Sequence, residues 1–425
     1  MTKNQQISQT LKKTFHRRES QDCKVYEVKI DKSHLNNKQS QHLTMLFPEA
    51  KWLYNHILNL GDIFSFKDDS IKQVQVRNKD KIFEPRTLQH LSSQMKQSLL
   101  ERQKQNVYNL SASKKKGNKV GALKFKSHVD SIPLKQYGKT YKIADDKHIT
   151  IQGISGHIKV HGLEQIPKDA EYANARLIRR QRDFYVHITC FVPKVARKLT
   201  GKSTGIDAGI KDNITLSNST KFSVKIPETK RLKKLMRKFR NKVKFSKNWK
   251  KLKVKVRKEY DRITNRKKDC KNKIVSAITK EYDIVCIQDE NIKAWHHGWF
   301  GKEVQQSILG GIMSDLKRKS HTLSIVDRFF PSTQLCPRCG TLNKIPLSER
   351  TYCCDCGYEA DRDTHSAINI EIEGLKQLGM EYTKPMPVED RTSMRESIPA
   401  QVPSCEAGSQ RLKSLVIHDV IQTLS

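Results

Sequence analysis

Residues 24–30 alternate apolar and polar positions with a period of two, which predicts a strand with one buried face. From about Asn36 to Leu110 the period lengthens to that of a helix. Leu43, Met45, Leu46, Trp52, Leu53, Ile57 and Leu58 recur at helical spacing, as do Leu88, Leu91, Met95 and Leu99, and these stripes read as ordinary core. Short strand-like runs follow at 123–126, 141–144, 148–152, 157–161, 175–180 and 184–192. Their length and turn-rich separation predict a small β-barrel or meander. The helical block therefore reads as an insertion between the first strand and the rest of a β domain. Residues 1–20, polar and basic, read as a loose arm, and residues 111–118 as a basic linker.

A second pattern opens after residues 193–202. A strand over 204–210 carries Asp207 among apolar neighbours, and a strand over 213–217 leaves after a short turn. Residues 230–273 are almost unbroken helix formers with 22 Lys or Arg against three acids, and Leu232, Leu235, Met236 and Phe239 give their first part an apolar stripe. Next come a buried strand over 284–290, a helix over 301–316, a strand over 323–330 and a helix over about 364–378. The cluster of Trp295, Trp299 and Phe300 between them reads as a loop packed on the core. The tail from Glu381 is rich in Pro, Ser and charge, which predicts disorder.

Charge narrows the partners. Over 425 residues the formal net charge is +37, so a polyanion, with nucleic acid foremost, is the expected partner. A membrane is not expected. No run of about 18 apolar residues occurs, no basic amphipathic anchor is evident, and residues 1–20 lack the apolar centre of a secretory signal. Most of the excess in 230–273 is unbalanced, and repulsion on that scale argues for a phosphate-facing hairpin, with Lys233, Lys234, Arg237, Lys238, Arg240, Lys250, Lys251, Arg257 and Lys258 as its contacts.

Cysteine spacing adds a metal. Cys336 and Cys339 form one CxxC pair, Cys353 and Cys356 another, and 13 residues separate the pairs. Two such knuckles aim four thiolates at one tetrahedral zinc, with Gly340 and Gly357 where the knuckle turns call for positive φ. Cys354 lies inside the second knuckle and offers another register, although CxxC spacing favours Cys353. Cys23, Cys190, Cys270 and Cys286 are scattered, a pattern that fits a reducing compartment and predicts a cytoplasmic, nucleoid-associated protein.

Three places offer carboxylates at strand or helix ends: Asp207, the pair Asp289 and Glu290, and the pair Asp361 and Asp363 flanking Arg362. Acids converging from separate elements are what phosphodiester cleavage by two divalent ions requires.

The order of strand acid, basic helices, strand acid, zinc knuckles and Asp-Arg-Asp helix resembles the TnpB (OrfB) family of insertion-sequence transposons and the compact type V CRISPR nucleases related to it. The resemblance covers most of the chain. It is strongest from Phe329 through Cys336 to Asp361-Arg362-Asp363 and Ile370, and it extends to Gly205-Ile206-Asp207-Ala208-Gly209 and Leu123-Lys124-Phe125-Lys126. It implies a multidomain α/β protein. A RuvC/RNase H-like nuclease domain with an inserted zinc ribbon would follow a wedge β-barrel that carries an inserted helical recognition domain. The segments so implied are 1–35 (arm and first barrel strand), 36–112 (recognition helices), 113–198 (remaining barrel), 199–330 (nuclease domain with the basic hairpin), 331–360 (ribbon), 361–380 (last nuclease segment) and 381–425 (tail).

The resemblance further implies RNA-guided DNA cleavage with structural Zn²⁺, catalytic Mg²⁺ and a guide RNA, acting on double-stranded target DNA, as a monomer with its RNA. Asp207 matches the first catalytic acid and Asp363 the third, with His365 at a position where the family usually has Asn. The second departs, because Gln288 stands where the family has Glu. Glu290, two residues on and on the same face of a continuing strand, is the expected replacement. If the strand has ended, Asp289 serves as well, and a nuclease-dead RNA-guided DNA-binding protein is the alternative function.

Overall fold

The computed structural model describes residues 3–64, 71–78, 82–181, 183–346 and 348–384, and the chain divides into two compact units that meet at residues 197 and 198. The expected disordered tail lies outside the described residues from 385 onward.

The first unit begins with α1 (Lys3–Glu19), where a loose arm was expected. The segment contains no Gly or Pro, and its last turn is tied down. Arg17 and Arg18 both reach Glu171, at 3.0 and 2.8 Å, and the Arg18 guanidinium lies 3.4 Å from the centre of the Phe191 ring. β1 (Gln21–Ile30) and α2 (Asn37–Asn59) follow. The Asn36 side chain accepts from the Gln39 amide at 2.8 Å and the Gln39 side chain accepts from the Asn36 amide, a reciprocal cap that fixes the helix start. The helical block is then interrupted by a hairpin of β2 (Gln73–Arg77) and β3 (Phe83–Thr87), because Val74 and Val76 alternate with polar residues at strand period. α3 (Ser93–Lys115) runs through most of the expected linker.

β4 (Ser131–Leu134), β5 (Tyr141–Asp145), β6 (His148–Ile151), β7 (Ile158–His161), β8 (Glu171–Arg180) and β9 (Asp183–Pro193) complete a seven-stranded sheet in the order β4-β8-β9-β1-β7-β6-β5, curled into a nearly closed barrel. Its inner face shares one core with α2 and α3 through Val28, Ile30, Leu43, Leu46 and Met95. The expected strand at 123–126 is absent. The Asn55 carboxamide brackets the Lys126 backbone from both sides, at 2.8 and 2.9 Å, and so takes the place of a strand neighbour.

The second unit is built on β10 (Ser203–Asp207), β11 (Ile214–Leu216) and β12 (Lys221–Phe222), then α4 (Lys230–Arg240), α5 (Lys247–Glu281) and β13 (Ile284–Gln288). α6 (Ile292–His297), α7 (Gly301–Ser307), α8 (Leu309–Lys319) and β14 (Thr322–Val326) follow. The single helix expected over 301–316 is split at Ile308, which sits at φ 57°. A hairpin of β15 (Thr351–Cys353) and β16 (Glu359–Asp361) leads into α9 (Arg362–Gln377).

The main sheet has the order β12-β11-β10-β13-β14. β10, β13 and β14 run parallel, and β11 and β12 run antiparallel to their neighbours, as the RuvC/RNase H-like class requires. Parallel strands bring their carboxyl ends to one edge, where open α/β sheets carry their ligands. α9 crosses β10 so closely that a Cβ on Gly205 would stand 1.9 Å from the Ala367 carbonyl oxygen, which is why glycine precedes the acid strand end. The hairpin of α4 and α5 packs on Leu232, Val256 and Ile263 with Leu235, Met236 and Phe239 beside them, so the expected apolar stripe is the hairpin's own core. Among the described residues no helix is long and apolar enough to cross a membrane.

Candidate functional site

Asp207 ends β10, and among the described residues α9 supplies its only hydrogen-bond donor, the Ser366 hydroxyl, 2.9 Å from Oδ1. Ser366 lies one turn beyond Asp363, so a single helix both holds the first acid and carries the third. Burial pushes the Asp207 carboxyl up to about 7; the Ser366 hydrogen bond opposes this, and the charges of Asp363 and Glu290 reinforce it. Asp207 thus feels the charges of both Glu290 and Asp363, although the three come from separate elements.

The second acid position corrects part of the expectation. β13 ends at Gln288, so strand alternation does not carry Glu290 to the Asp207 side. A tight turn follows the strand instead, in which the Glu290 amide donates to the Gln288 carbonyl at 3.0 Å. Burial raises the Glu290 carboxyl, with Asp289 adding to the effect and Arg328 opposing it. Asp289 points elsewhere. Arg328 at 2.7 Å and Lys317 at 3.4 Å pair with it, and the Arg328 hydrogen bond holds it below the usual carboxylate range. Of the two, Glu290 is the acid whose charge acts on Asp207, while Asp289 is engaged by Arg328.

Gln288 has a full set of partners. Its Nε2 donates to the carbonyls of Asp327, Arg328 and Phe330 at 3.0, 3.2 and 2.8 Å, and its Oε1 accepts from Ser332 at 3.0 Å. Ser366 Oγ also lies 3.0 Å from Ser332 Oγ, and its single hydroxyl proton serves either Ser332 or Asp207, so a line of close polar contacts runs from Gln288 to Asp207. The sequence reading missed both serines; small hydroxyl residues without a spacing rule give no advance signal.

Asp361 is occupied in capping α9, since it accepts from the Thr364 amide at 3.0 Å and pairs with Lys221 at 2.8 Å. Asp363 projects from the first turn, 4.0 Å from Lys221. Among the described residues neither Asp207 nor Glu290 is ion-paired, and the three carboxylates do not all lie within 4.8 Å of one another. A wide set of hard oxygen donors with an unpaired pair at its heart fits divalent cations that bring their own water and take a substrate phosphate.

The sulfur site is compact. The Sγ atoms of Cys336, Cys339, Cys354 and Cys356 all lie within 4.8 Å of one another, with 3.6 Å between Cys336 and Cys356 and 3.5 Å between Cys339 and Cys354. A tetrahedron of Zn–S bonds near 2.3 Å has edges of ~3.8 Å, so the quartet fits zinc. The expected ligand Cys353 is replaced by Cys354. Tyr352 is buried in β15, strand alternation turns Cys353 outward to solvent, and the next residue turns back toward the other sulfurs. Gly340 and Gly357 have φ of 76° and 81°, as the knuckles were expected to require. His365, at the expected asparagine position, is buried and stacks on Tyr352 with centroids 3.7 Å apart, which joins α9 to the ribbon; burial pushes its imidazole down to about 4.

All nine cations singled out on the hairpin, from Lys233 to Lys258, are exposed, and none has a carboxylate partner among the described residues. Glu259, the hairpin's buried acid, is taken by Arg231 and Arg262. Of the aromatic cluster, Trp295 packs on the core while Trp299 is fully exposed.

Comparison with known proteins bears on this arrangement. Residues 179–295 match the model of the OrfB/IS605 family, described as a probable transposase, and residues 312–370 match the Cas12f1-like TNB domain. A Streptomyces pristinaespiralis protein named "Putative RNA-guided DNA endonuclease" is 29% identical over 300 residues, covering 68% of this chain and 74% of that one. TnpB-like protein L79 of Acanthamoeba polyphaga mimivirus is 28% identical over 44% of this chain and 41% of its own length. A Cas12f1–sgRNA–target DNA complex aligns with TM-score 0.46 at 13% identity, over 83% of this chain and 99% of that one, a likeness too slight to argue from. The two family matches fall in chain order on the first acid strand with its basic hairpin and on the ribbon with its acid helix, and with the relatives' similarity they support a place for the chain among TnpB (OrfB)-like proteins.

Proposed function

We propose that the protein is an RNA-guided DNA endonuclease that hydrolyses phosphodiester bonds with divalent cations, Mg²⁺ foremost, held by Asp207, Glu290 and Asp363. What supports this reading is Asp207, half-buried at the end of β10, without an ion pair among the described residues and pushed up to about 7, with the charges of Asp363 from α9 and Glu290 from the turn after β13 acting on it. Isolated carboxyls withdrawn from water without a cation are costly, and such sites are common where chemistry is done. Divalent cations bound there would polarise the phosphate and lower the pKa of a bound water. Asp207 keeps Oδ2 available because Ser366 occupies Oδ1, and Ser366 is itself fixed by Ser332. The unpaired cations of the hairpin would hold guide RNA and heteroduplex by their backbones, while base pairing reads sequence. Cys336, Cys339, Cys354 and Cys356 would hold zinc as a structural support, and the reading assigns the protein to the cytoplasm, working as a monomer with its RNA.

The experiment is to purify the protein with its co-expressed RNA, sequence that RNA, and assay Mg²⁺-dependent cutting of matched DNA. Asp207→Ala and Glu290→Gln should each abolish cutting without loss of RNA. Cutting that survives Asp207→Ala would remove the assignment. Gln288 supports a second reading, a guide-directed DNA-binding protein without cleavage, because an amide engaged with three carbonyls stands where the family has Glu. Sequence-matched binding with no cutting by the wild-type protein would favour it.

A further inference from the structure

We infer that the tip of the hairpin between α4 and α5 is a stacking site for an unpaired base of the guide RNA, with Phe245 as its platform. This rests on the nucleic-acid reading of the hairpin and goes beyond it, since that reading asks only for cations. Phe245 is 74% exposed and adopts φ 69°, a left-handed conformation that bulky residues rarely occupy. The strain and the exposure are unfavourable to the folded protein by themselves, and strain of this kind gathers at ligand sites.

The ring does not stand alone. Phe245 lies 5.5 Å from Trp249 between centroids, and Phe239 stacks on Trp249 at 5.2 Å with a 28° interplanar angle. The Lys253 ammonium sits 4.7 Å from the centre of the Trp249 ring. The three rings form a step whose outermost tread is Phe245. Exposed Lys242, Lys244 and Lys247 flank it, and Lys238, Lys251 and Lys255 line a hollow of about 490 Å³ beside it. An aromatic face amid phosphate-seeking cations complements a single strand, in which bases are free to stack while the backbone meets the lysines. A duplex hides its base faces and has no use for the ring. A protein partner with an apolar patch would have to bury these lysines unpaired.

Phe245→Gly separates binding from folding, because glycine adopts φ 69° without strain. The variant should keep or exceed the wild-type melting temperature. It should bind an unstructured 12-nucleotide RNA about tenfold more weakly, as stacking energies indicate. Binding of an RNA duplex and the salt dependence of both should be unchanged, and Phe245→Tyr should restore single-strand affinity. Equal affinity of Phe245→Gly and wild type for the single strand, or an equal loss on the duplex, overturns the inference. A loss seen only on single-stranded DNA of the same sequence overturns its assignment to RNA. If wild-type protein shows no salt-dependent RNA binding, the reading of the hairpin fails and the inference with it. If Lys238→Gln/Lys251→Gln lowers the salt slope while Phe245→Gly has no effect, only the inference fails.

Discussion

The first unit holds a buried acid and the second a half-buried one, and the two are treated in opposite ways. Glu49, in the α2 region of the first unit, is 1% exposed. Its oxygens accept from the amides of Gln89, His90 and Leu91, the best at 2.9 to 3.0 Å, and from the His90 ring at 2.6 Å. Asp207, at the sheet edge of the second unit, has one donor among the described residues, the Ser366 hydroxyl. A carboxylate that ties a loop to a helix is given all the donors it can use, because an unsatisfied buried acceptor lowers stability. A carboxylate left with one donor and with two like charges facing it is poised for a cation that is not part of the chain. Completeness of hydrogen bonding is what distinguishes the two acids, and under the proposed function it marks Asp207 as the one left open to a cation.

The same chemical change should therefore have opposite signs at the two sites. Glu49→Gln replaces an acceptor-only group by one whose amide hydrogens would face backbone amides, which are donors too. Loss of charge-assisted bonds and at least one stranded amide should cost about 3–4 kcal/mol, seen as a lower midpoint in urea unfolding of the first unit. A change below about 1 kcal/mol would break the comparison, because it would mean that the four donors are not what holds this loop.

Gln288 tests the line that runs from the sheet to Asp207. In Gln288→Glu a carboxylate would face the carbonyl oxygens of Asp327, Arg328 and Phe330, three acceptors with no hydrogen to share unless the new acid takes up a proton. The expected outcome is a loss of about 2–3 kcal/mol with no gain in DNA cutting. A large gain in cutting would show instead that the amide marks a lost metal ligand, and would favour the non-cleaving reading of the wild type.

What could be read from the sequence follows the range of the interactions involved. The zinc knuckles, the strand ending in Asp207 and the basic hairpin are local patterns, and spacing or periodicity displays them directly. Cys353 was preferred to Cys354 because spacing counts residues, whereas the choice was made by Tyr352, whose burial fixes which way its neighbours point. α1 and the β2–β3 hairpin were misread since the first is settled by Glu171 and Phe191 far along the chain, and the second is a period-two run of only five residues. The expected strand at 123–126 failed for the same reason, its backbone partner being Asn55, 71 residues away. The contact of Ser366 with Asp207 depends on α9 lying across β10, an approach that Gly205 marks in the sequence, and the tie of Gln288 to three carbonyls depends on the turn after β14 folding back on it.

The smallest effect is also the most diagnostic. Asp207 titrates at its ordinary 3.8 in the unfolded chain and at about 7 in the metal-free fold. The fold thus binds the proton more tightly, and this contribution to stability is complete below pH 4 and lost as pH rises through 7. At pH 8 metal-free protein carries an ionised, under-partnered carboxylate, while Asp207→Asn keeps the acceptor for Ser366 and removes the charge. The variant should gain about 2 kcal/mol over wild type at pH 8, allowing for partial solvent screening, and close to nothing at pH 4. Mg²⁺ should stabilise wild type at pH 8 and leave the variant unmoved, which erases the difference. Equal stability of the two proteins at pH 8 in the absence of metal would place Asp207 with Glu49 among the structural acids, and the contrast between the two units would dissolve.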